Sequence, residues 1–178
     1  VYKRQPKKDL QHSDAVVAHV VPENGTRFDW VAEQLERDVR RFGYHGRLVV
    51  KSDGENAAKE LMSELARKRK DEPTIIETSK PYESKSNGRA EGAVRRVECQ
   101  IRTLKLATER NLGVVVDVHT PLFEWLVEHA ANILVKCAVG SDGRTPYERL
   151  KGKRYNGELM EFASMVFVRL QGKPQGGV

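Results

Sequence analysis

The pattern of apolar and polar positions along the chain predicts strands that alternate with helices. Short runs rich in β-branched residues, which favour strands, occur at residues 15–21, 47–52, 74–78 and 164–170. Apolar residues spaced three and four apart, which favour one buried helical face, occur at residues 28–42, 58–66, 87–112 and 121–137. A strand–helix–strand order implies parallel pairing through right-handed crossovers, so the pattern predicts an α/β fold with helices flanking a central sheet.

Local signals at the ends of these segments divide the chain further. Gly43 follows the first helical pattern as a C′ glycine, Pro121 opens the last long one, and Thr145 before Pro146 is typical of the capped start of a short helix. The predicted organisation is a basic arm or truncated hairpin at residues 1–14, a core at 15–112, a helical extension at 113–153, and a terminal strand with a flexible tail at 154–178.

Composition adds a preference for anionic partners. The chain carries 31 Lys and Arg against 25 Asp and Glu, a net charge of +6, which favours polyanions without proving one. No apolar run approaches the roughly 20 residues of a membrane span, so we expect no membrane contact. Cys99 and Cys137 fall in helical patterns without zinc-ligand spacing. We predict that they are small buried thiols in a reducing compartment, nuclear or cytoplasmic.

Two acidic residues stand where a metal site for phosphate chemistry could form. Asp53 follows the predicted strand that ends at Ser52, and sites in parallel sheets gather beyond such carboxyl ends. Glu91 falls in the first turn of the predicted helix at residues 87–112. Mg²⁺ prefers oxygen ligands, and two divalent ions about 4 Å apart activate an attacking oxygen and stabilise a leaving one. Each acid alone is a weak signal, because Asp-Gly is a common turn and an acid early in a helix also suits the macrodipole.

The joint pattern is more specific, and its residues are Ser52-Asp53-Gly54-Glu55-Asn56, Pro81-Tyr82 and Ser86-Asn87-Gly88-Arg89-Ala90-Glu91. It resembles the catalytic core of retroviral and retrotransposon integrases, which belong to the ribonuclease-H-like polynucleotidyl transferases. Further positions resemble the downstream part of copia-type integrase cores: Trp125, Ala130, Asn132, Thr145-Pro146-Tyr147-Glu148 and Gly152.

The resemblance implies a ribonuclease-H-like fold with a mixed central sheet and extra C-terminal helices. It also implies that Asp53 and Glu91 are the second and third ligands of Mg²⁺ or Mn²⁺ in an enzyme that cleaves and joins DNA phosphodiesters. The family's first ligand is an Asp on an earlier strand, and neither Asp9 nor Asp14 is assigned to that role. We expect that strand to lie upstream of Val1 and the chain as given to be inactive or nearly so.

The resemblance implies DNA partners, both element ends and target DNA, and a homo-oligomer. Arg95, Arg102 and Lys105 fall on about the same helical face as Glu91 and are predicted phosphate contacts. The alternative is a solvated face, since Glu98 is placed to pair with Arg95 or Arg102. Candidates for positioning the DNA end are two further residues, Tyr82 and Asn87.

Two other functions remain open on the sequence. A decayed or domesticated copy would bind DNA or self-associate without catalysis, and the unassigned first acid favours it for this chain. A ribonuclease H would share the sheet and the acids, but the Pro81-Tyr82 and Ser86-Asn87-Gly88 segments disfavour it.

Overall fold

A computed structural model describes residues 13–21, 28–52, 55–78 and 84–167; the side chains of residues 28 and 84–87 lie outside that description. Seven elements follow one another: α1 (Phe28–Arg41), β1 (Leu48–Ser52), α2 (Asn56–Lys68), β2 (Thr74–Thr78), α3 (Ser84–Leu112), α4 (Pro121–Cys137) and α5 (Pro146–Lys151). Among the helices in these ranges, none combines the length and the apolar character needed to cross a membrane.

The two strands form a parallel pair, as predicted. Leu48 pairs with Thr74 at one end and Ser52 with Thr78 at the other, while α2 makes the crossover and packs on both strands. Helix α1 packs against α2 on the outside. Because the strands are parallel, both carboxyl ends meet at one edge of the sheet, and the chain leaves that edge after Ser52 in the direction of Asp53.

The remaining helices form a second layer around α4. Helices α3 and α5 both pack on α4, whose residues Leu126, Ala130 and Val135 are buried. The connector after α3 is fixed by Glu109, which accepts a hydrogen bond from the backbone N–H of Val116 at 2.9 Å. These contacts hold α3 and the connector that follows it against the rest of the layer.

Residues 13–21 tie the two layers together through side chains. Nε2 of His19 lies 2.7 Å from Oδ2 of Asp38 on α1, and Nδ1 lies 3.2 Å from Oε1 of Glu128 on α4. At the other end of the segment, Nη1 of Arg149 donates to the carbonyl oxygen of Ser13 at 3.2 Å. The segment is therefore held by α1, α4 and α5.

The strands predicted at residues 15–21 and 164–170 are not formed by the residues that are described there. Residues 13–21 and 164–167 have no regular secondary structure. Their β-branched composition favours an extended backbone, but a strand also needs a partner ladder, and the described sheet contains β1 and β2 alone. Residues 168–170 of the second predicted strand, the tail after them and residues 1–12 of the predicted arm lie outside the description.

Two further predictions, the start of α3 and the burial of the cysteines, need correction. Helix α3 begins at Ser84, three residues before the predicted start. Cys99 and Cys137 are free but exposed, where buried thiols were predicted. Cys137 is the last residue of α4, where a side chain does not pack into the core. In outline the predicted α/β class is confirmed.

Candidate metal and nucleic-acid site

Asp53 comes directly after the last residue of β1 in the sequence. That last residue is Ser52, which pairs with Thr78 of β2. Asp53 itself lies outside the described residues. Its proximity to Glu91 therefore stays a prediction.

Glu91 lies further along its helix than the sequence pattern indicates. It follows Ser84, the first residue of α3, by about two helical turns, and the first turn of α3 contains no acidic residue. The prediction that Glu91 lies in the first turn is wrong because α3 starts earlier. Since the macrodipole acts mainly within the first turn, it does not account for an acid at this position.

The Glu91 carboxylate is exposed and available to a ligand. It makes no hydrogen bond and no ion pair with any residue that the structure describes, although Arg95, four residues on, is a favourable helical partner. An ionised carboxylate offers only acceptor oxygens, the donor set that Mg²⁺ and Mn²⁺ prefer. Over the described ranges no three His, Cys, Asp or Glu side chains converge as a metal site, and the predicted partner Asp53 falls in a gap between those ranges.

The earlier acids are engaged in other contacts. Asp14 accepts a hydrogen bond from Nη1 of Arg149 at 3.0 Å, and Asp38 is buried and bonded to His19. Asp14 thus stays unassigned as a metal ligand, as the sequence suggests. Asp9 lies outside the description.

The basic residues of α3 fall into two groups. Arg95, Arg96 and Arg110 are exposed and make no ion pair in the described part of the chain. Arg102 instead pairs with Glu98 at 3.3 Å, as the solvated-face alternative predicts, and the half-buried Lys105 pairs with Glu109. Sequence reasoning does not include Arg96 among the DNA contacts; its exposed side chain, unpaired among the described residues and next to Arg95, adds it to them.

Two glycines flank Glu91 on α3. A Cβ built on Gly88 or Gly92 would meet no atom within 4 Å, so no contact inside the described chain requires glycine there. Each glycine in a helix interior costs about 1 kcal/mol relative to alanine. The surface beside Glu91 is consequently open to close approach by an external backbone.

The other predicted DNA contacts are not placed. Tyr82 lies outside the described residues, and Asn87 belongs to α3 but its side chain is not described. Both stay predictions.

Comparisons with known proteins bear on the fold and on its family. No family model matches the chain, and no curated protein matches it. Among solved structures, the catalytic core domain of BIV integrase is similar, with a TM-score of 0.53 and 25% sequence identity over 78% of this chain and 79% of that one. The chain is therefore a mixed α/β protein with a retroviral integrase catalytic core as a structural neighbour.

Proposed function

We propose that this chain is a DNA-integration domain: the polynucleotidyl transferase core of a copia-type retroelement integrase, with a ribonuclease-H-like fold. The observation that carries the proposal is the similarity to the BIV integrase catalytic core over more than three quarters of both chains. The residues around Asp53 and Glu91 also support the proposal, because they resemble the metal-binding motif of integrase cores.

In this function Asp53 and Glu91 hold Mg²⁺ or Mn²⁺. The bound metal supplies activation of the attacking oxygen and stabilisation of charge on the leaving oxygen. The side chains of the protein hold this metal and orient the DNA beside it. Glu91 presents a carboxylate, unpaired among the described residues, from a helix that packs on α4. Asp53 comes directly after the last paired residue of β1 in the sequence.

DNA is bound along the exposed face of α3. Arg95 and Arg96 are unpaired among the described residues and neutralise phosphates without reading sequence. Gly88 and Gly92 let the sugar–phosphate backbone approach the helix closely. Arg102 and Lys105 contribute less to DNA affinity, because each must break an ion pair with a glutamate before it binds a phosphate. Tyr82 and Asn87 position the DNA end.

The same proposal includes the substrates, the oligomeric state and the cellular compartment. The substrates are element ends and target DNA, and the active form is a homo-oligomer. The compartment is nuclear or cytoplasmic, where exposed cysteines such as Cys99 and Cys137 stay reduced.

DNA affinity measured with and without Mn²⁺ tests the proposal. Two clustered carboxylates repel phosphate in the absence of metal and attract it through a bound cation. We expect Mn²⁺ to strengthen DNA binding by the 178-residue chain, and Asp53→Asn or Glu91→Gln to strengthen metal-free binding while abolishing the response to Mn²⁺. Glu124→Gln, an exposed acid on α4, is the matched control. An unchanged response to Mn²⁺ in both site variants would refute the metal-site assignment.

A second candidate is a DNA-binding domain without catalysis. It is favoured by the engagement of Asp14 and Asp38 in other contacts, which leaves neither free as a third ligand. Mn²⁺-dependent joining of a DNA end to target DNA by this chain would exclude the second candidate, whereas DNA binding that does not respond to Mn²⁺ would support it.

A further inference from the structure

A pocket lies between α3, α4 and residues 159–162, which follow α5. Its volume is about 310 Å³. An apolar cavity of about 150 Å³ is enough to bind benzene, so this pocket has room for a bicyclic aromatic molecule. Every residue that lines it belongs to the described part of the chain, and none belongs to residues 13–21 or to the sheet.

The walls of the pocket are mainly apolar and are held by contacts within the chain. Helix α3 contributes Leu104, α4 contributes Ile133, and the third wall includes Phe162. The two helices pack on each other. The third wall is tied to α3 at Glu161, whose carboxylate accepts a hydrogen bond from Nδ2 of Asn111. The pocket is therefore a defined apolar space between three connected walls.

Two polar side chains in the pocket lack a hydrogen-bond partner among the described residues. Thr108 on α3 lines the pocket and is 2% exposed, and its hydroxyl forms no hydrogen bond in the described ranges. His129 on α4 lines the same pocket, and neither of its ring nitrogens forms a hydrogen bond with a described residue. Since buried polar side chains are normally hydrogen-bonded, both groups are available to a ligand.

The charges around the pocket favour a neutral ligand. Burial, with a smaller contribution from Lys136, lowers the pKa of His129, so the ring is uncharged at neutral pH and has one donor and one acceptor nitrogen. The positive charge of Lys136 disfavours a cation beside this ring. The carboxylate of Glu161 in the third wall disfavours an anion.

We propose that the pocket binds an uncharged aromatic alcohol of the phenol or naphthol class. One hydroxyl group satisfies both available side chains, because it donates to the acceptor nitrogen of His129 and accepts from the hydroxyl of Thr108. A carbonyl group only accepts and would leave that nitrogen unpaired. The ring of the ligand packs against Phe162, which already packs on the His129 ring at 5.2 Å between centroids. This site is separate from the metal and DNA sites, and neither proposal rests on the other.

Binding of 2-naphthol tests the proposal, with naphthalene and 2-naphthoate as control ligands. The three molecules share one ring system and differ in the group that it carries, which is a hydroxyl, a hydrogen or a carboxylate. Calorimetry measures the affinity, and the methyl NMR signals of Leu104, Ile133 and Met160, which line the pocket, locate the ligand. We expect 2-naphthol to shift these signals and to bind at least about tenfold more tightly than either control, because only its hydroxyl bonds to both side chains.

Two substitutions separate ligand recognition from folding. Thr108→Val keeps the shape of the side chain and removes the hydroxyl. It should weaken 2-naphthol binding by about fivefold, the equivalent of one hydrogen bond, and leave naphthalene binding unchanged. It should not lower the free energy of unfolding, because the hydroxyl has no described partner to lose.

Ala107→Phe tests the location of the site. It places a ring in the pocket from an exposed position on α3 and should abolish the binding of both 2-naphthol and naphthalene. Ala57→Phe, at an exposed position on α2 outside the pocket, is the matched control and should bind 2-naphthol as the wild type does.

Three results would overturn the proposal. Equal affinity for 2-naphthol and naphthalene would show that water, not a ligand, satisfies Thr108 and His129. Undiminished binding of 2-naphthol to the Ala107→Phe variant would place the ligand elsewhere on the protein. Absence of 2-naphthol binding to the wild type would show that the pocket is closed or filled in solution.

Discussion

Nη2 of Arg149 fills the space that a Cβ on Gly140 would need. The same guanidinium bonds to both carboxylate oxygens of Asp142, at 2.6 and 3.0 Å, and to Asp14 at 3.0 Å. The absence of a side chain at Gly140 therefore leaves room for the contact that anchors residues 13 and 14 to α5.

Gly140→Ala should destabilise the protein by displacing this guanidinium. The expected loss is about 0.5–1 kcal/mol in the free energy of unfolding, typical of losing partly exposed ion pairs, and urea denaturation measures it. Gly92→Ala is the matched control. Its Cβ would meet nothing within 4 Å, so a gain of up to about 1 kcal/mol is expected from helix propensity alone. Equal effects of the two substitutions would contradict the steric argument.

Arg69 should contribute strongly to stability at the end of the sheet where both strands begin. Its side chain is fully buried and donates to the carbonyl oxygen of Gly46 at 2.7 Å and to Oγ1 of Thr74 at 3.2 Å. Arg69→Ala leaves these acceptors unpaired and should cost about 2–4 kcal/mol of unfolding free energy. Arg67→Ala, at an exposed neighbour in α2, should change stability by less than about 0.5 kcal/mol. A small effect at Arg69 would mean that water replaces its contacts.

Arg95 and Arg96 should contribute non-specifically to DNA affinity. Each Arg→Ala substitution is expected to weaken binding to all sequences alike and to reduce the slope of log affinity against log salt by about 1. Arg102→Ala should act in the same direction but less strongly, because Glu98 competes for this guanidinium. Arg37→Ala, an exposed arginine on α1, should leave binding unchanged. Sequence-selective losses, or an equal loss at Arg37, would place the DNA elsewhere.

His129 should make the protein less stable in mild acid. Burial, with a smaller contribution from Lys136, lowers the pKa of His129 below its usual value, and its ring packs on Phe162 at 5.2 Å between centroids. The unfolded chain therefore takes up the proton at higher pH than the folded one, so the stability contributed at neutral pH falls as pH drops through about 6.5.

A difference measurement isolates this histidine from the other titrating groups. His129→Phe keeps a ring against Phe162 and removes the proton site. The unfolding free energy of the wild type, relative to this variant, should decrease between about pH 7.5 and 5. A pH-independent difference would show that His129 takes up a proton equally in both states.

Elements specified by neighbouring residues were predictable from the sequence. Helix α5 is one example. Oγ1 of Thr145 accepts a hydrogen bond from the N–H of Glu148 at 3.2 Å, and the Glu148 side chain accepts one from the N–H of Thr145 at 2.7 Å. These two bonds form a complete capping box, and Pro146 follows at the first helical position, where proline is favoured. The parallel pairing of β1 and β2 follows similarly from the short crossover through α2.

Features that depend on distant partners were not predictable. Residues 15–21 have the composition of a strand, but their state depends on a pairing partner that no local pattern reveals. His19 reaches Asp38 and Glu128, which are 19 and 109 positions away, and no spacing rule indicates that contact. The sequence likewise does not show that the Glu91 carboxylate lacks a hydrogen-bond partner among the described residues. That Glu91 lies close to Asp53 stays a prediction.

Direct binding of Mn²⁺ tests the central claim, that Asp53 and Glu91 hold one divalent site. Titration followed by the electron paramagnetic resonance signal of free Mn²⁺ requires neither DNA nor catalysis. The account predicts that the chain binds Mn²⁺, that Asp53→Asn and Glu91→Gln each weaken binding by at least about tenfold, and that Glu124→Gln binds as the wild type does. Wild-type affinity in either Asp53→Asn or Glu91→Gln would contradict it.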